Sequence, residues 1–358
     1  MANQIEKSAR EIELGKIDRT FFDRVVYPNL GALDSSVLVA PQHGVDFGAV
    51  DLGGGQVMVM ATDPLFIQPS LGFERAAWFA FHIIVSDVAV SGLTPRYLTL
   101  DWNLPPEIAD EEFEIICRTF DREARALGIG IVTGHTARYT GCAYPMVGGA
   151  TAIATGSRDK LVTPRGATPG DQVIVTKGPA IEATGLLAVE YGEFLQQAIG
   201  AKATEEAKAV FFQMSPIQDA LTAAAVGGVT AMHDATECGV WGGLVEIAEA
   251  SGVGLRIDRD AIRVMPAVQQ TCSFFGIDPF ASISEGTLLM TCRPEKCGEI
   301  LAALNDHGVP AFHAGEVVGQ GEGLSYTAGG QSYPLQHPRL DPFWFAFVEY
   351  AGKKKYEV

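Results

Sequence analysis

The stretch "AAWFAFHIIVSDVAVSGL", Ala76–Leu93, decides how the rest of the chain is read. It is the most apolar helix-length segment of the sequence, yet it is short for a bilayer span, which takes about 20 predominantly apolar residues. His82 and Asp87 interrupt it. The expected element is therefore a helix buried inside a folded protein. A carboxylate inside such a helix is costly unless it is paired, hydrogen-bonded or bound to a cation. Asp87 must be satisfied by a backbone amide, by Arg75 or by a ligand.

Around that helix the chain has 358 residues, long for one core, and two domains are expected. With 47% apolar residues, 40 Gly and 19 Pro, it is globular and turn-rich rather than disordered or fibrous. The balance of 26 Lys+Arg against 43 Asp+Glu gives a formal charge of −17. Such a surface repels phosphate backbones and anionic lipid, which argues against nucleic acid and membrane as partners. An anionic ligand such as a nucleotide would need metal ions and helix N-termini to mediate its contacts. The six cysteines form no CxxC pair, and "MANQIEKSAREIELG" lacks the apolar core of a signal peptide, so a reducing cytoplasm is expected.

A polar N-terminal helix and "IDRTFFDRVVY", with Phe21, Phe22, Val25 and Val26 at helical spacing, precede strand-like runs at "SSVLVA" and "QVMVMATD". Beyond the buried helix come a strand, "RYLTLDWNL", and an amphipathic helix, "PPEIADEEFEIICRTFDREARALG". The latter places Ile108, Phe113, Ile116, Phe120 and Leu127 on its inner side, with Pro106 at its start and Gly128 at its end. "GIGIVTGHT" and "YPMVGGATAIATG" complete a first α/β unit. The polar "SRDKLVTPRGATPGD" marks a boundary near 158–170, giving expected domains at 1–160 and 161–358. The second half restarts with a strand, "DQVIVTKG", and a helix, "AIEATGLLAVEYG", then runs through Ala-rich helix to residue 226. Strand and helix alternate again through "GVTAMHDA", "TECGVWGGLVEIAEASG", "GVGLRID", "GTLLMTC", "EKCGEILAALNDHG" and "FHAGEVV". The fold class is α/β (α+β) in two domains. The halves share a rhythm but no clear sequence repeat.

Three aspartates close apolar runs in the first half: Asp46 in "HGVDFGAVDL", Asp63 in "VMATDPLFIQP" and Asp87. Together they suit Mg²⁺, which takes a few carboxylates plus phosphate oxygens and water. In "IVTGHTARY", Ile131–Tyr139, an apolar run ends in Gly134-His135-Thr136, three residues that fill a core poorly. They supply backbone to the aspartates if their strand lies beside the one ending in Asp63. His135 suits a phosphate, a metal or a neighbouring carboxylate, or a structural role; Thr136 equally suits a strand-end hydroxyl. "HDATECGVWGG" passes from strand to helix through Asp234, Thr236, Gly239, Gly242 and Gly243, small residues that let an anion reach free N–H groups. The alternative is Thr236 as a plain N-cap with glycines for close helix packing. Lys177 and Glu182 stand at another strand-to-helix junction, with a capping alternative, and Glu285 just precedes a strand. Cys238, at a helix start, is either a nucleophile of lowered pKa or a buried spectator thiol. The motifs GxxxxGK(S/T), GxGxxG, GxSxG and HExxH are missing, which disfavours the usual nucleotide folds.

The order "VDFGAV … ATDPLFIQP … VSDVAVSG … VTGHT … HDATECGVWGGLVEIAEASGVG … SEGTLLM … GEVV" resembles the superfamily of aminoimidazole ribonucleotide synthetase, thiamine-monophosphate kinase, selenophosphate synthetase and the hydrogenase-maturation protein HypE. The likeness spans nearly the whole chain and is strongest to HypE, through "VSDVAVSGLTP", "EIAEASGVG" and "SEG". It implies an N-terminal α/β domain pairing its sheet across a homodimer, ATP near that interface, and a C-terminal α/β domain covering the ATP cleft. It also implies use of ATP to phosphorylate or activate an oxygen of a small substrate. Asp46, Asp63 and Asp87 match the acidic positions around Mg²⁺ and ATP, Gly134 and Thr136 the "GDT"-type turn, Asp234 and Thr236 the "DPT"-type element, and Glu285 the "EG" element. Three departures stand out: a single acid in Val45-Asp46-Phe47, His135 in place of an aspartate, and the ending "AGKKKYEV" in place of a cysteine that accepts a carbamoyl group. Carbamoyl dehydration is therefore not expected to run by the same route. Nor does the start show the cysteine (or selenocysteine) and lysine loop of the selenophosphate enzymes.

The resulting expectation is a cytoplasmic, homodimeric, Mg²⁺- and ATP-dependent synthetase, dehydratase or kinase. Asp46, Asp63 and Asp87 would hold the metal; Asp87, His135 and Glu285 would be catalytic; Gly134, Thr136, Lys177, Asp234 and Thr236 would complete the nucleotide site. The partner is a small polar substrate or a maturation protein. The alternatives are a non-catalytic nucleotide-binding scaffold and a small-molecule kinase resembling the thiamine-monophosphate enzyme.

Overall fold

A computed structural model describes residues 17, 19–32 and 34–356, so the expected polar helix at the start lies outside the described residues. The described chain opens with a short helix, α1 (Arg19–Phe21), whose helical path continues to Asn29 and leaves Phe21 and Val25 exposed. Six strands then build a first sheet: β1 (Val37–Val39), β2 (Gly48–Gly53), β3 (Gln56–Phe66), β4 (Pro95–Leu104), β5 (Gly130–Arg138) and β6 (Met146–Ser157), in the order β1-β2-β3-β6-β4-β5. Neighbours run antiparallel except β4 and β5, which are parallel. A parallel pair needs a crossover, and α3 (Asp110–Leu127) supplies it. Asp110, Glu111 and Glu112 complement the helix dipole at its start, and the Glu112 carboxylate accepts the Ala109 N–H at 2.9 Å. The helix therefore begins at Asp110 rather than at Pro106, which stays in the turn before the cap. Gly128, left-handed at φ 68°, ends it as expected.

The expected end of the apolar run at Gly134 is also corrected. The strand β5 continues to Arg138, paired with β4 from Tyr97↔Gly130 to Leu104↔Arg138. A side chain at Gly134 would bring its Cβ to 2.4 Å from the Leu100 carbonyl oxygen, so the glycine serves the close approach of the two strands.

Seven strands form the second sheet: β7 (Gln172–Thr176), β8 (Val229–Asp234), β9 (Gly254–Asp258), β10 (Leu288–Cys292), β11 (Ala311–Val318), β12 (Leu324–Ala328) and β13 (Gln331–Pro334), in the order β13-β12-β9-β11-β7-β10-β8. Only the β9 and β12 pair is parallel. The strand β10, between β7 and β8, is buried along its whole length, which explains its mainly apolar sequence. Around this sheet lie α4 (Ile181–Glu190), α5 (Gly192–Ile199), α6 (Ala201–Ala209), α7 (Ile217–Val226), α8 (Gly239–Ser251), α9 (Pro266–Phe275), α10 (Pro294–Asp306) and α11 (Pro342–Tyr356).

The apolar stretch that began the reading is α2 (Phe73–Ala89), followed by a turn through Gly92. One continuous core joins its Phe79, Phe81, Ile84 and Val88 to Leu98 and Phe120 of the first half and to Phe211, Ile217, Leu288 and Met290 of the second. A helix buried between two layers can be apolar all round. Each large side chain so placed contributes about 1.5–3 kcal/mol of burial, so α2 helps to bond the two halves.

Candidate functional site

Asp87 projects from the last turn of α2, Asp63 from β3, and Asp46 from the segment leading into β2. The second half contributes Asp234, at the end of β8, and Glu285, in the turn entering β10; Leu288 pairs with Asp234, so these two acids arrive side by side. Both are fully buried. Burial pushes the Asp87 carboxyl well above the usual carboxylate range, and the charges of Asp63, Asp234, Asp46 and Glu285 push it further. Glu285 is raised for the same reasons, first by burial and then by Asp234 and Glu182; it is in hydrogen-bonding contact with Asp234 and with the Ser86 hydroxyl. Glu182 accepts the Glu285 backbone N–H at 3.0 Å, and burial raises its own pKa to about 8. Five expected acids thus converge from both halves of the chain. Their mutual repulsion is the signature of a site shaped for positive charge.

Sequence reasoning missed His233. It is 1% exposed, with Nδ1 at 2.7 Å from Asp46 Oδ2 and Nε2 at 2.8 Å from Glu246 Oε2. Burial works to depress its pKa, but the two carboxylates outweigh that and hold it well above the ordinary histidine value. Charged at neutral pH, it is an internal cation that ties Asp46 to α8. The ligand atoms of Asp46, His233 and Asp234 lie within 4.8 Å of one another, a spacing suited to a metal ion. Within that set the imidazole holds Asp46 in place through its Nδ1 contact. The signal was present as a histidine directly before Asp234, but its partner lies 187 residues away.

Other expected residues fall elsewhere. Gly134 faces Leu100, which faces Ala150, which faces Asp63, so β4 and β6 stand between β5 and β3. At roughly 4.8 Å per strand, Gly134, His135 and Thr136 sit roughly 14 Å from Asp63, not beside it. His135 is exposed and contacts the Tyr139 hydroxyl at 2.8 Å. Lys177 is committed within the protein: its ammonium donates to the carbonyl oxygens of Ser215 (2.8 Å) and Gly286 (2.9 Å) and pairs with Asp219 at 3.1 Å. This corrects the expectation of a lysine open to a phosphate.

Thr236 does not cap α8; its carbonyl accepts the N–H groups of Gly239 and Ser284. Cys238 holds the cap position at φ 62°, buried, with its N–H donated to Asp341 Oδ2 at 2.7 Å. A Cβ on Gly239 would meet the Ser282 carbonyl at 2.3 Å, and one on Gly243 would meet Leu289 at 2.5 Å, so these glycines serve close packing. Arg75 reaches the Leu71 carbonyl and lies over the Phe211 and Phe212 rings rather than pairing with Asp87.

Two α/β layers closing on a buried set of carboxylates define a mixed α/β protein whose two halves share one acidic cluster. Residues 44–159 match the family model described as AIR synthase related protein, N-terminal domain, and residues 168–326 match its C-terminal domain. The chain belongs to the AIR synthase-related family. It is 30% identical over 280 residues to the carbamoyl dehydratase HypE of Rhizobium leguminosarum bv. viciae, covering 77% of each chain. The crystal structure of HypE from E. coli superimposes with a TM-score of 0.68 at 27% identity, over 80% of this chain and 87% of that one. A HypE crystal structure in complex with ATP shares the fold, with a TM-score of 0.67 at 24% identity over 91% of this chain and 97% of that one. Among the described residues no helix is long and apolar enough to cross a membrane.

Proposed function

We propose that this protein is a cytoplasmic, homodimeric, Mg²⁺- and ATP-dependent enzyme that activates or phosphorylates an oxygen of a small polar substrate. The observation that carries the reading is the convergence of Asp46, Asp63, Asp87, Asp234 and Glu285 from both halves in one acidic cluster. The similarity to carbamoyl dehydratases and to a HypE bound to ATP supports it. Asp46, Asp63 and Asp87 would hold Mg²⁺, whose charge, when bound, neutralises and orients the polyphosphate. Glu285 and Asp87, both raised toward the protonated form by burial and by neighbouring acids, are placed to hold or release a proton. Glu182 fixes the Glu285 backbone, and Lys177 fixes the adjoining Gly286 carbonyl. Asp234 and Thr236 belong to the C-terminal wall of the nucleotide site. Gly134, His135 and Thr136 lie on β5, an edge strand among the described residues, and would contribute to a nucleotide site only across a dimer that pairs this edge.

Calorimetric titration of Mg-ATP into the pure protein tests the reading. Asp63→Asn should weaken binding at least tenfold with an unchanged unfolding curve; equal affinity would return Asp63 to a structural role. The His233–Asp46 pair favours a second reading, because it already supplies one cation to the acids: a nucleotide-binding maturation protein that docks a partner without turnover. Phosphate release across a panel of small metabolites separates the two. Phosphate retained on the product would instead mark a small-molecule kinase.

A further inference from the structure

A cavity of about 1050 Å³ opens between α2, α7 and α10, with Lys177 in its wall. It is walled largely by Trp78, Phe212, Ile217 and Met265, and into it face His82 and Ser215. The Ser215 hydroxyl lies 2.8 Å from His82 Nδ1, and His82 Nε2 lies 3.3 Å from Glu123 Oε2. Three separate elements deliver this relay: the turn before α7, α2 and α3. The Trp78 ring lies 4.2 Å from the imidazole and tilted 33° to it, which limits its rotation. Lys177 grips the Ser215 carbonyl at 2.8 Å, and Pro216 follows, so the serine backbone is fixed. Burial lowers the His82 pKa, against the pull of Glu123, so the ring is neutral at pH 7 and accepts at Nδ1 while donating from Nε2.

We propose that this cavity is a second, nucleophilic site, in which Ser215, with His82 as base and Glu123 orienting it, takes the acyl group of a small carboxylic ester with an apolar acyl chain. The order serine, imidazole, carboxylate is the one nucleophilic acyl transfer requires. Ser215 Oγ attacks the carbonyl carbon as its proton passes to His82 Nδ1. The bond to the alkoxy oxygen breaks, and the alcohol leaves with that proton. Water then repeats the exchange, giving the free acid and restoring the serine. The apolar walls set the preference for the acyl chain.

The test is labelling of the full chain with diisopropyl fluorophosphate, read by peptide mass spectrometry, together with hydrolysis of p-nitrophenyl butyrate. A phosphoryl adduct on Ser215 is expected, with a rate that rises through the lowered His82 pKa and is flat above it. His82→Asn should slow labelling about 100-fold or more, in line with loss of a general base, and Glu123→Gln should slow it less. Ser215→Ala should abolish ester hydrolysis while leaving the heat of Mg-ATP binding unchanged, so failure here is distinct from failure of the ATP reading. Because the unsubstituted protein carries the primary readout, a poorly folding variant does not blur the outcome. No adduct on Ser215, or an adduct formed equally fast in His82→Asn and Glu123→Gln, overturns the proposal and leaves a structural hydrogen bond.

Discussion

At His233 the electrostatics of both halves meet in one ring. Its two nitrogens hold Asp46 from the first half and Glu246 from the second, within 2.8 Å of each. Removing one partner of a buried ionic set strands the others, at a cost of about 3–5 kcal/mol for full burial. Glu246 keeps 24% of its side chain exposed, so the lower end applies to His233→Gln. The folded pKa is raised above the ordinary value of 6.5, so the stabilisation is complete below that value and is lost as pH rises through the folded value. Urea unfolding of the wild type and His233→Gln should therefore show a gap that is widest below pH 6.5 and narrows in alkali. A gap indifferent to pH would show that the ring is held by packing alone. The acids were legible in the sequence because a carboxylate ending an apolar run is anomalous wherever it is found. His233 was not, since nothing local distinguishes it and its meaning depends on a residue in the other domain. Lys177 misled for the converse reason: its position before a helix fits a phosphate ligand, and only the fold shows its ammonium donating to two carbonyls and paired with Asp219.

Elements were legible where periodicity is local. The buried helix α2, the amphipathic α3 and the strands β3, β4 and β6 follow from apolar spacing and from the glycine that stops α3. Strand neighbours were not legible, because pairing is settled by crossover geometry rather than by the pattern within a strand. Hence "IVTGHT" reads correctly as strand, but the condition that it lie beside the strand of Asp63 is not met, because the α3 crossover carries it past β4 to the sheet edge. The glycine within it answers to that neighbour: a Cβ at Gly134 would press into the Leu100 carbonyl, a backbone atom that cannot swing aside. Gly134→Val should destabilise the protein by about 1–3 kcal/mol through overpacking, with faster hydrogen exchange confined to β5 and β4. Full retention of stability and exchange protection would mean that β5 already sits farther from β4 than its hydrogen bonding requires.

For the whole molecule, the unpaired edge and the acid cleft make separate demands. Among the described residues strand β5 has no neighbour on its outer side, and Ile131 and Val132 stand 44% and 56% exposed along it. A second copy would cover such an edge, and a charge there is a known block to strand addition. Val132→Lys should convert a dimer to monomer in sedimentation analysis; a monomeric wild type would refute this assembly. The cleft governs stability across pH. Glu182 is raised from 4.5 to about 8, and Asp87 and Glu285 are raised in the same direction. A raised carboxyl stabilises the fold fully below its ordinary pKa and loses that contribution as pH climbs through the folded value, because the unfolded chain ionises first. Without divalent cation or nucleotide, the urea midpoint should accordingly fall between pH 4.5 and about 8. Mg-ATP binds the ionised acids and should oppose that fall most strongly at the alkaline end, by about 2.7 kcal/mol at a hundredfold excess over its dissociation constant. A midpoint flat with pH, or a ligand effect equal at both ends, would mean that Glu182, Asp87 and Glu285 are neutralised internally. The cleft would then be a structural polar core rather than a seat for metal and nucleotide.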